Sequence, residues 1–463
     1  MQFQPKAKSV GLVILFSVFW LPIAAPIQDH GVAAVDDTQN ILPVQEQERL
    51  MDQWLRWRLD HILPDLMRRE GIDMWLVINR EYNEDPVYLT LVPQATFNAR
   101  RTSILIFHDR GGELGVERLT GSYYGAGDWY KATWTDKSKT QFESLAEVMK
   151  KRNPRKIGIN VSSTWAFGDG LSASLEDKLE RALGPEFSSR LVSAERLCVG
   201  WFETRSPQEL SVYRHICGIA HDMIAEFFSN KVITFDVTTT GDVVWWIRQK
   251  ARDLGLTMRF QPDIFIARQK EDPANMKGFY LHDYQDGDPV IKRGDLLHCD
   301  FGIEYLGLNT DMQWEAYVLR DGENDAPQGI KDAMARARRL ADILMDEFKE
   351  GRTGSEIARA ANEKATAEGL RPLLYTHPIG VHLHAAGPPM ESRAKGSAPE
   401  GFEIRGDYPL YPDTAYAIEF QSLYSLPEWG GQDIRIGFEE NAVFTAEGIR
   451  FIDGHQKKLY LIR

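Results

Sequence analysis

The sequence predicts an α+β chain in two parts: a small α/β domain, then a larger domain of helices beside long antiparallel strands. Three observations predict it. Apolar, strand-like runs alternate with helical patterns up to Arg205. Beyond that point the strand-like segments carry polar residues at their centres, which suits an antiparallel sheet with one face outside the apolar core. Between the two parts, Ser206-Pro207-Gln208-Glu209 has the form of a capping box with proline at the first helical position, the start of a new helix.

The elements follow in order. Lys6 and Lys8 precede an apolar run from Val10 to Ala25, and the chain turns polar at Gln28, Asp29 and His30. This fits a secretory signal, so residues 1–27 are read as a signal peptide or an uncleaved anchor, and the protein as exported, periplasmic or secreted. The run falls short of the ~20 residues of a comfortable membrane span, and no later stretch could cross a membrane. Residues 28–44 read as a linker, and 45–205 as the first domain. Trp54, Leu55, Leu59, Ile62, Leu63, Leu66 and Met67 recur at helical spacing, with Gly71 placed to end that helix. Strands are expected at 74–78 and 103–107, a turn at Gly111-Gly112, a helix at 140–152 and a strand at 156–161. In the second domain, 206–463, helices are expected near 207–229, 241–254, 328–350 and 354–368, and strands near 295–304, 310–320, 414–424 and 434–445. The segment 376–389 reads as a loop rich in glycine and proline.

Composition excludes several classes. The chain of 463 residues has 43% hydrophobic and 26% charged residues, ordinary for a globular protein of two domains. A net charge of −13 with no dense basic cluster argues against nucleic-acid binding. Three cysteines without a CxxC pair make neither a thiolate zinc site nor a disulfide framework. The phosphate-loop, nucleophile-elbow and HExxH motifs are all missing, and the acidic run at 283–288 reads as a solvated turn.

What remains is a set of misplaced polar residues. In the segment 296–318, Asp300 and Asp311 sit in two strand-like runs joined by a turn. A hairpin folding about Tyr305-Leu306 would make them cross-strand neighbours, with Cβ atoms about 5 Å apart. Two such carboxylates in a buried sheet need a cation or a shared proton. His377, His382 and His384 cluster in one short stretch, and histidine is the commonest nitrogen ligand for metals. Glu419 interrupts an apolar strand, and Glu439 and Glu440 interrupt another. One histidine with several carboxylates suits divalent ions held mainly by oxygen, and two such ions ~3.5–4 Å apart can share bridging carboxylates.

Taken in order, Asp300, Asp311, His377, Glu419 and Glu439 resemble the ligand series of the pita-bread metallopeptidases, which include methionine aminopeptidase, Xaa-Pro aminopeptidase, prolidase and the metal-free creatinase. The eleven-residue step between the aspartates, RGDLLHCDFG at 293–302 and NAVFTAEG at 441–448 carry the likeness. His384, seven residues after His377, and His282, in YLHDY, match two further family histidines. Thr445 lies six residues after Glu439, which selects it over Glu440 as the last ligand. The resemblance implies a pita-bread catalytic domain behind a creatinase-type N-terminal α/β domain. It implies a dinuclear site, manganese by family habit, with cobalt, zinc or iron as alternatives. Asp300, Asp311, His377, Glu419 and Glu439 would hold the ions, Glu419 would relay a proton, His384 would bind the scissile carbonyl and His282 would position the substrate. It further implies an aminopeptidase that cuts the N-terminal Xaa-Pro bond of short peptides with a metal-bridged hydroxide, working as a homodimer. The chain departs from the family at Pro378, Ala385 and Phe420, the residues after His377, His384 and Glu419, and in the offset of Arg435 from Glu439. These departures leave open a metal-dependent lyase or amidohydrolase of a small molecule, or a binding protein on the same scaffold.

Overall fold

The computed structural model describes residues 37–124, 127–269, 288–384, 386–391 and 405–463. The expected signal or anchor, His282 and all but the last residue of the acidic turn at 283–288 lie outside the described residues. The chain from Asp36 to Arg463 forms one compact unit.

The first sheet has six strands, in the order Lys131–Ala132, Val116–Thr120, Thr102–Asp109, Met74–Arg80, Ile157–Ile159, Leu191–Ser193. Strand Met74–Arg80 is central, antiparallel to one neighbour (Leu76 opposite Ile106) and parallel to the other (Leu76 opposite Ile159). Successive side chains leave a strand on opposite faces. Trp75 and Val77 therefore enter the core shared with helix Val44–Arg69, and Leu76 and Ile78 the core shared with helices Gln141–Arg152 and Ala173–Ser188. The long helix ends where expected: Glu70 is its C-cap, and Gly71 follows at φ 62°, a left-handed conformation that glycine adopts without strain.

The second sheet has ten strands among the described residues. Its main path runs Leu383–His384, Pro372–Gly380, Thr414–Leu426, Gln432–Thr445, Met312–Val318, Leu296–Phe301, Asp263–Ala267. Ser206, Thr239 and Thr353 close capping boxes on helices Pro207–Phe227, Thr240–Asp253 and Gly354–Ala367. One pair of helices, Pro207–Phe227 and Thr240–Asp253, shares a core with Leu297, Cys299 and Phe301. The other pair, Gln328–Met345 and Gly354–Ala367, shares one with Ile418, Phe420 and Phe438. Strand alternation then turns His298, Asp300, Glu419 and Glu439 to the opposite face. No helix among the described residues is long and apolar enough to cross a membrane.

Three expectations are corrected. The hairpin after Asp300 turns at Leu306-Gly307, both at positive φ (55° and 69°), not at Tyr305-Leu306. A two-residue turn of that hand wants glycine at its second position, so Gly307 fixes the register. Asp300 consequently faces Gln313 across the strands, and Asp311 is its diagonal neighbour. The segment read as a loop from residue 376 begins instead as strand Pro372–Gly380, which carries His377. Proline is tolerated there because the ladder on one side breaks at 377–378: Met390–Glu391 pairs with Tyr375 and Thr376, Leu383–His384 with Ile379 and Gly380. Finally, the second part of the stretch read as a linker is tied down. Asp37–Asn40 form a 3-10 turn, the Asp37 N–H donates to Asp222 Oδ2 (2.6 Å), the Leu42 N–H donates to Tyr305 Oη (2.8 Å), and the long helix has begun by Val44. Those partners are remote in sequence, which is why local composition misleads.

Candidate metal centre

The second sheet assembles the site by register. Glu419 lies directly opposite Glu439, Glu439 opposite Gln313, and Gln313 opposite Asp300, a continuous row across four strands. One step along, His377 is opposite Ala417, which is opposite Asn441. Asn441 Oδ1 accepts the Asp311 N–H (3.2 Å) and anchors that aspartate just before its strand begins. All five residues matched to the metallopeptidase series thus meet on one face.

Their ligand atoms fall into overlapping groups. His377, Glu419 and Glu439 form one, Asp300, Asp311 and Glu439 a second, and Asp311, His377 and His384 a third, each with its atoms within 4.8 Å of one another. His377 Nε2 is 3.3 Å from Glu439 Oε1 and 3.6 Å from both Asp311 Oδ2 and Glu419 Oε2. Glu439, Asp311 and His377 each belong to two of these groups. Glu440, the neighbour of Glu439, points to the other face, where its carboxylate meets His221 Nε2 (3.1 Å) and accepts from Trp314 Nε1 (2.9 Å).

The electrostatics ask for a cation. Burial, reinforced by the neighbouring carboxylates, pushes Asp311, Glu419 and Glu439 well above the usual carboxylate range. Burial raises Asp300 to about 6, with His298 opposing and Asp263 assisting. Burial, then His384, lowers His377 to about 3, so its imidazole is neutral at physiological pH and free to act as a ligand. Asp311 Oδ1, Glu439 Oε1 and His377 Nε2 are buried without a hydrogen-bond partner. Buried acceptors of this kind carry a desolvation cost that a bound ion removes. Oxygen-rich donors with one imidazole fit hard or borderline divalent ions.

Around the row stand the histidines of the 376–389 segment. His384 packs edge-on against His377, ring centroids 4.4 Å apart, at the exposed side of the group. His382 is set apart and packs against Phe202, 4.9 Å between centroids. Asn309 Nδ2 donates to the carbonyls of Gly380 (2.6 Å) and Val381 (3.2 Å), holding the turn that presents His384.

Two further features leave only weak signals in the sequence. Gln313 Nε2 donates to Glu419 Oε1 at 2.8 Å, and its signal was only its place two residues after Asp311 on the same strand face. His298 Nδ1 meets Glu315 Oε1 at 3.0 Å, and that oxygen also accepts the Gly437 N–H at 3.0 Å. A histidine inside an apolar strand was the available signal there.

The sequence pattern of metallopeptidase family M24 matches residues 211–451. Among solved structures, the chain is similar to an X-Pro aminopeptidase from Thermotoga maritima, at 17% identity and TM-score 0.59, over 86% of this chain and 99% of that one. It is similar to an Xaa-Pro dipeptidase from Bacillus anthracis, at 18% identity and TM-score 0.53, over 90% and 100%. A dipeptidase from Pyrococcus horikoshii aligns at 15% identity and TM-score 0.54, over 87% and 99%. No curated protein sequence matches significantly. These identities speak for the fold: a pita-bread catalytic part behind an N-terminal α/β part.

Proposed function

The chain belongs to metallopeptidase family M24, and from that premise we propose an aminopeptidase that hydrolyses the N-terminal Xaa-Pro bond of short peptides with two divalent ions. The observation that carries the reading is the row Glu419–Glu439–Gln313–Asp300 with His377 and Asp311 beside it, buried and rich in unpartnered acceptors. Asp300, Asp311, His377, Glu419 and Glu439 would hold the ions, and manganese is the metal we expect. Ions held there supply Lewis acidity, which makes water a nucleophile near neutral pH and polarises a carbonyl.

The remaining steps belong to the chain. Glu419, ionised while it holds an ion, would take a proton from the attacking water and deliver it to the proline nitrogen as the bond breaks. His384, at the exposed edge beside His377, donates to the scissile carbonyl oxygen, where charge develops in the transition state. His282 positions the peptide near the scissile bond. The Xaa-Pro preference draws on the creatinase-like N-terminal part and on fold neighbours described as X-Pro aminopeptidase and Xaa-Pro dipeptidase.

The test is a panel of Xaa-Pro and Xaa-Ala peptides offered to protein reconstituted with Mn2+. We expect release of the first residue from the Xaa-Pro members and none after chelation. Manganese-loaded protein that binds its ions yet turns over no peptide would move the reading to a small-molecule lyase or amidohydrolase. Fewer than one ion per chain after reconstitution would move it to a binding protein.

A further inference from the structure

We infer that Gln313 is a positioning residue that divides the two oxygens of Glu419, tying one to the sheet and leaving the other for the ion group that contains His377. This rests on the dinuclear reading above.

Glu419 Oε1 accepts from Gln313 Nε2 at 2.8 Å, whereas Glu419 Oε2 faces His377 Nε2 at 3.6 Å. The amide nitrogen faces the carboxylate; with Glu419 ionised, as a metal ligand must be, the opposite orientation would set two acceptors together in a buried site. The same Nε2 lies 3.4 Å from Asp300 Oδ2, a much weaker contact. The side chain is held from both sides, since Gln313 is in register with Asp300 on one strand and Glu439 on the other. Its Oε1 is buried without a partner and lies 2.7 Å from where a Cβ on Gly437 would stand. His298 Nδ1 is also 2.7 Å from that point, so the imidazole and the amide oxygen share the space that glycine leaves.

The consequence is an asymmetry between the ion groups. Gln313 touches Glu419, which belongs to the His377 group alone, closely, and Asp300, which belongs to the other group alone, only loosely; its interaction with Glu439, which belongs to both, weighs on the two alike. Hydrogen bonds to an ionised partner are among the stronger ones. Removing this donor would release Glu419 from its fixed rotamer and disturb one group well before the other. Gln313 itself would touch neither substrate nor reacting atoms.

The experiment is a calorimetric titration of metal-free, full-length protein with Mn2+, comparing wild type with Gln313→Leu, similar in volume but without a donor, and Gln313→Asn, which keeps the amide on a shorter stem. In Gln313→Leu one of the two binding steps is expected to weaken by about tenfold while the other stays within twofold, with Gln313→Asn in between. With an Xaa-Pro peptide and saturating Mn2+, kcat should fall by about tenfold or more at little changed KM. Equal weakening of both steps, or no change in either, overturns the assignment, as does full kcat in Gln313→Leu. The titration needs no turnover, so it still decides the role of Gln313 if wild type cleaves no peptide. A Gln313→Leu protein that fails to fold, seen as lost far-ultraviolet dichroism, shifts the decision to Gln313→Asn, where unchanged binding steps overturn it.

Discussion

The two sheets bury their central strands to a similar depth but fill them differently. Strand Met74–Arg80 has six consecutive buried residues, all apolar except Asn79. Strand Thr414–Leu426 has nine consecutive buried residues, and Glu419 and Gln421 are among them. In the first sheet both faces meet apolar cores, so burial directly stabilises the fold. In the second, one face does at the strand centres, while the other collects four acidic side chains there, Asp311, Glu419 and Glu439 buried and Asp300 partly so. The N-terminal sheet is therefore self-sufficient, whereas the second holds a strained cluster that either bound protons or a cation relieves.

The largest expected effect separates these roles at a single step of the chain. Glu439→Ala and Asp311→Ala should lower peptide turnover on the order of a thousandfold, since several kcal/mol of transition-state stabilisation depend on the ions. In the absence of metal, both variants should melt no lower than wild type, because one repelling carboxylate is gone. Glu440→Gln should do the reverse: full Mn2+ stoichiometry, but lower stability as His221 loses one of its two charged partners and keeps only Asp453. A Glu439 variant that kept both ions and near-normal turnover would break the comparison at its centre.

The converse experiment is in the first sheet. Trp75 is fully buried and donates through Nε1 to Asn160 Oδ1 at 2.7 Å. Trp75→Ala should cost about 3–5 kcal/mol in urea unfolding, as large-to-small core changes do, while the protein that remains folded binds ions with wild-type stoichiometry. A change in ion affinity larger than the change in stability would show that the two sheets are not separable in this way.

A third effect is pH dependence. The folded pKa values of Asp300, Asp311, Glu419 and Glu439 are raised above their unfolded values, so the folded state holds protons more tightly. The stability from those bound protons is fully present below the unfolded values near 4 and is lost as pH rises through about 6, for Asp300, and beyond for the others. Chelated protein should therefore melt several degrees lower at pH 8 than at pH 5, and Mn2+ should restore more of that loss at pH 8. A flat profile without metal would contradict the picture of a strained carboxylate cluster.

The sequence carries much of this contrast, because both strand types announce themselves. The runs at 74–78 and 103–107, apolar but for Ser103, have few options besides a buried sheet, and the structure places strands there. The ligand residues are legible because acids are poor choices for strand centres. Register is less legible. Nothing local distinguishes a turn at Tyr305-Leu306 from one at Leu306-Gly307 except the conformational demand on glycine, yet the difference puts Gln313 rather than Asp311 opposite Asp300. The stretch around His377 reads locally as a loop because Pro378 and Gly380 flank it; its strand depends on a remote partner, Thr414–Leu426, and on a ladder break between remote segments. Gln313 and His298 carry little local signal because their roles depend on cross-strand neighbours.

The smallest effect probes the boundary between the ligand row and the polar row beneath it. Gly437 has an ordinary strand position, opposite Gln421, and needs no special backbone angle. Its lack of a side chain matters for space: a Cβ there would lie 2.1 Å from His298 Cε1 and 2.7 Å from Gln313 Oε1. Gly437→Ala must push the imidazole aside, which strains its contact with Glu315 (3.0 Å), or displace the amide that holds Glu419. The Glu315 carboxylate is fully buried, so loosening its histidine partner exposes no water to replace it. We expect a loss of about 1–2 kcal/mol in stability, typical of mild overpacking. Because His298 stands nearer than Gln313, Mn2+ binding should change less than in Gln313→Leu. A larger metal defect than stability defect in Gly437→Ala would mean that the amide, not the imidazole, yields first, and that the two polar rows act as one unit.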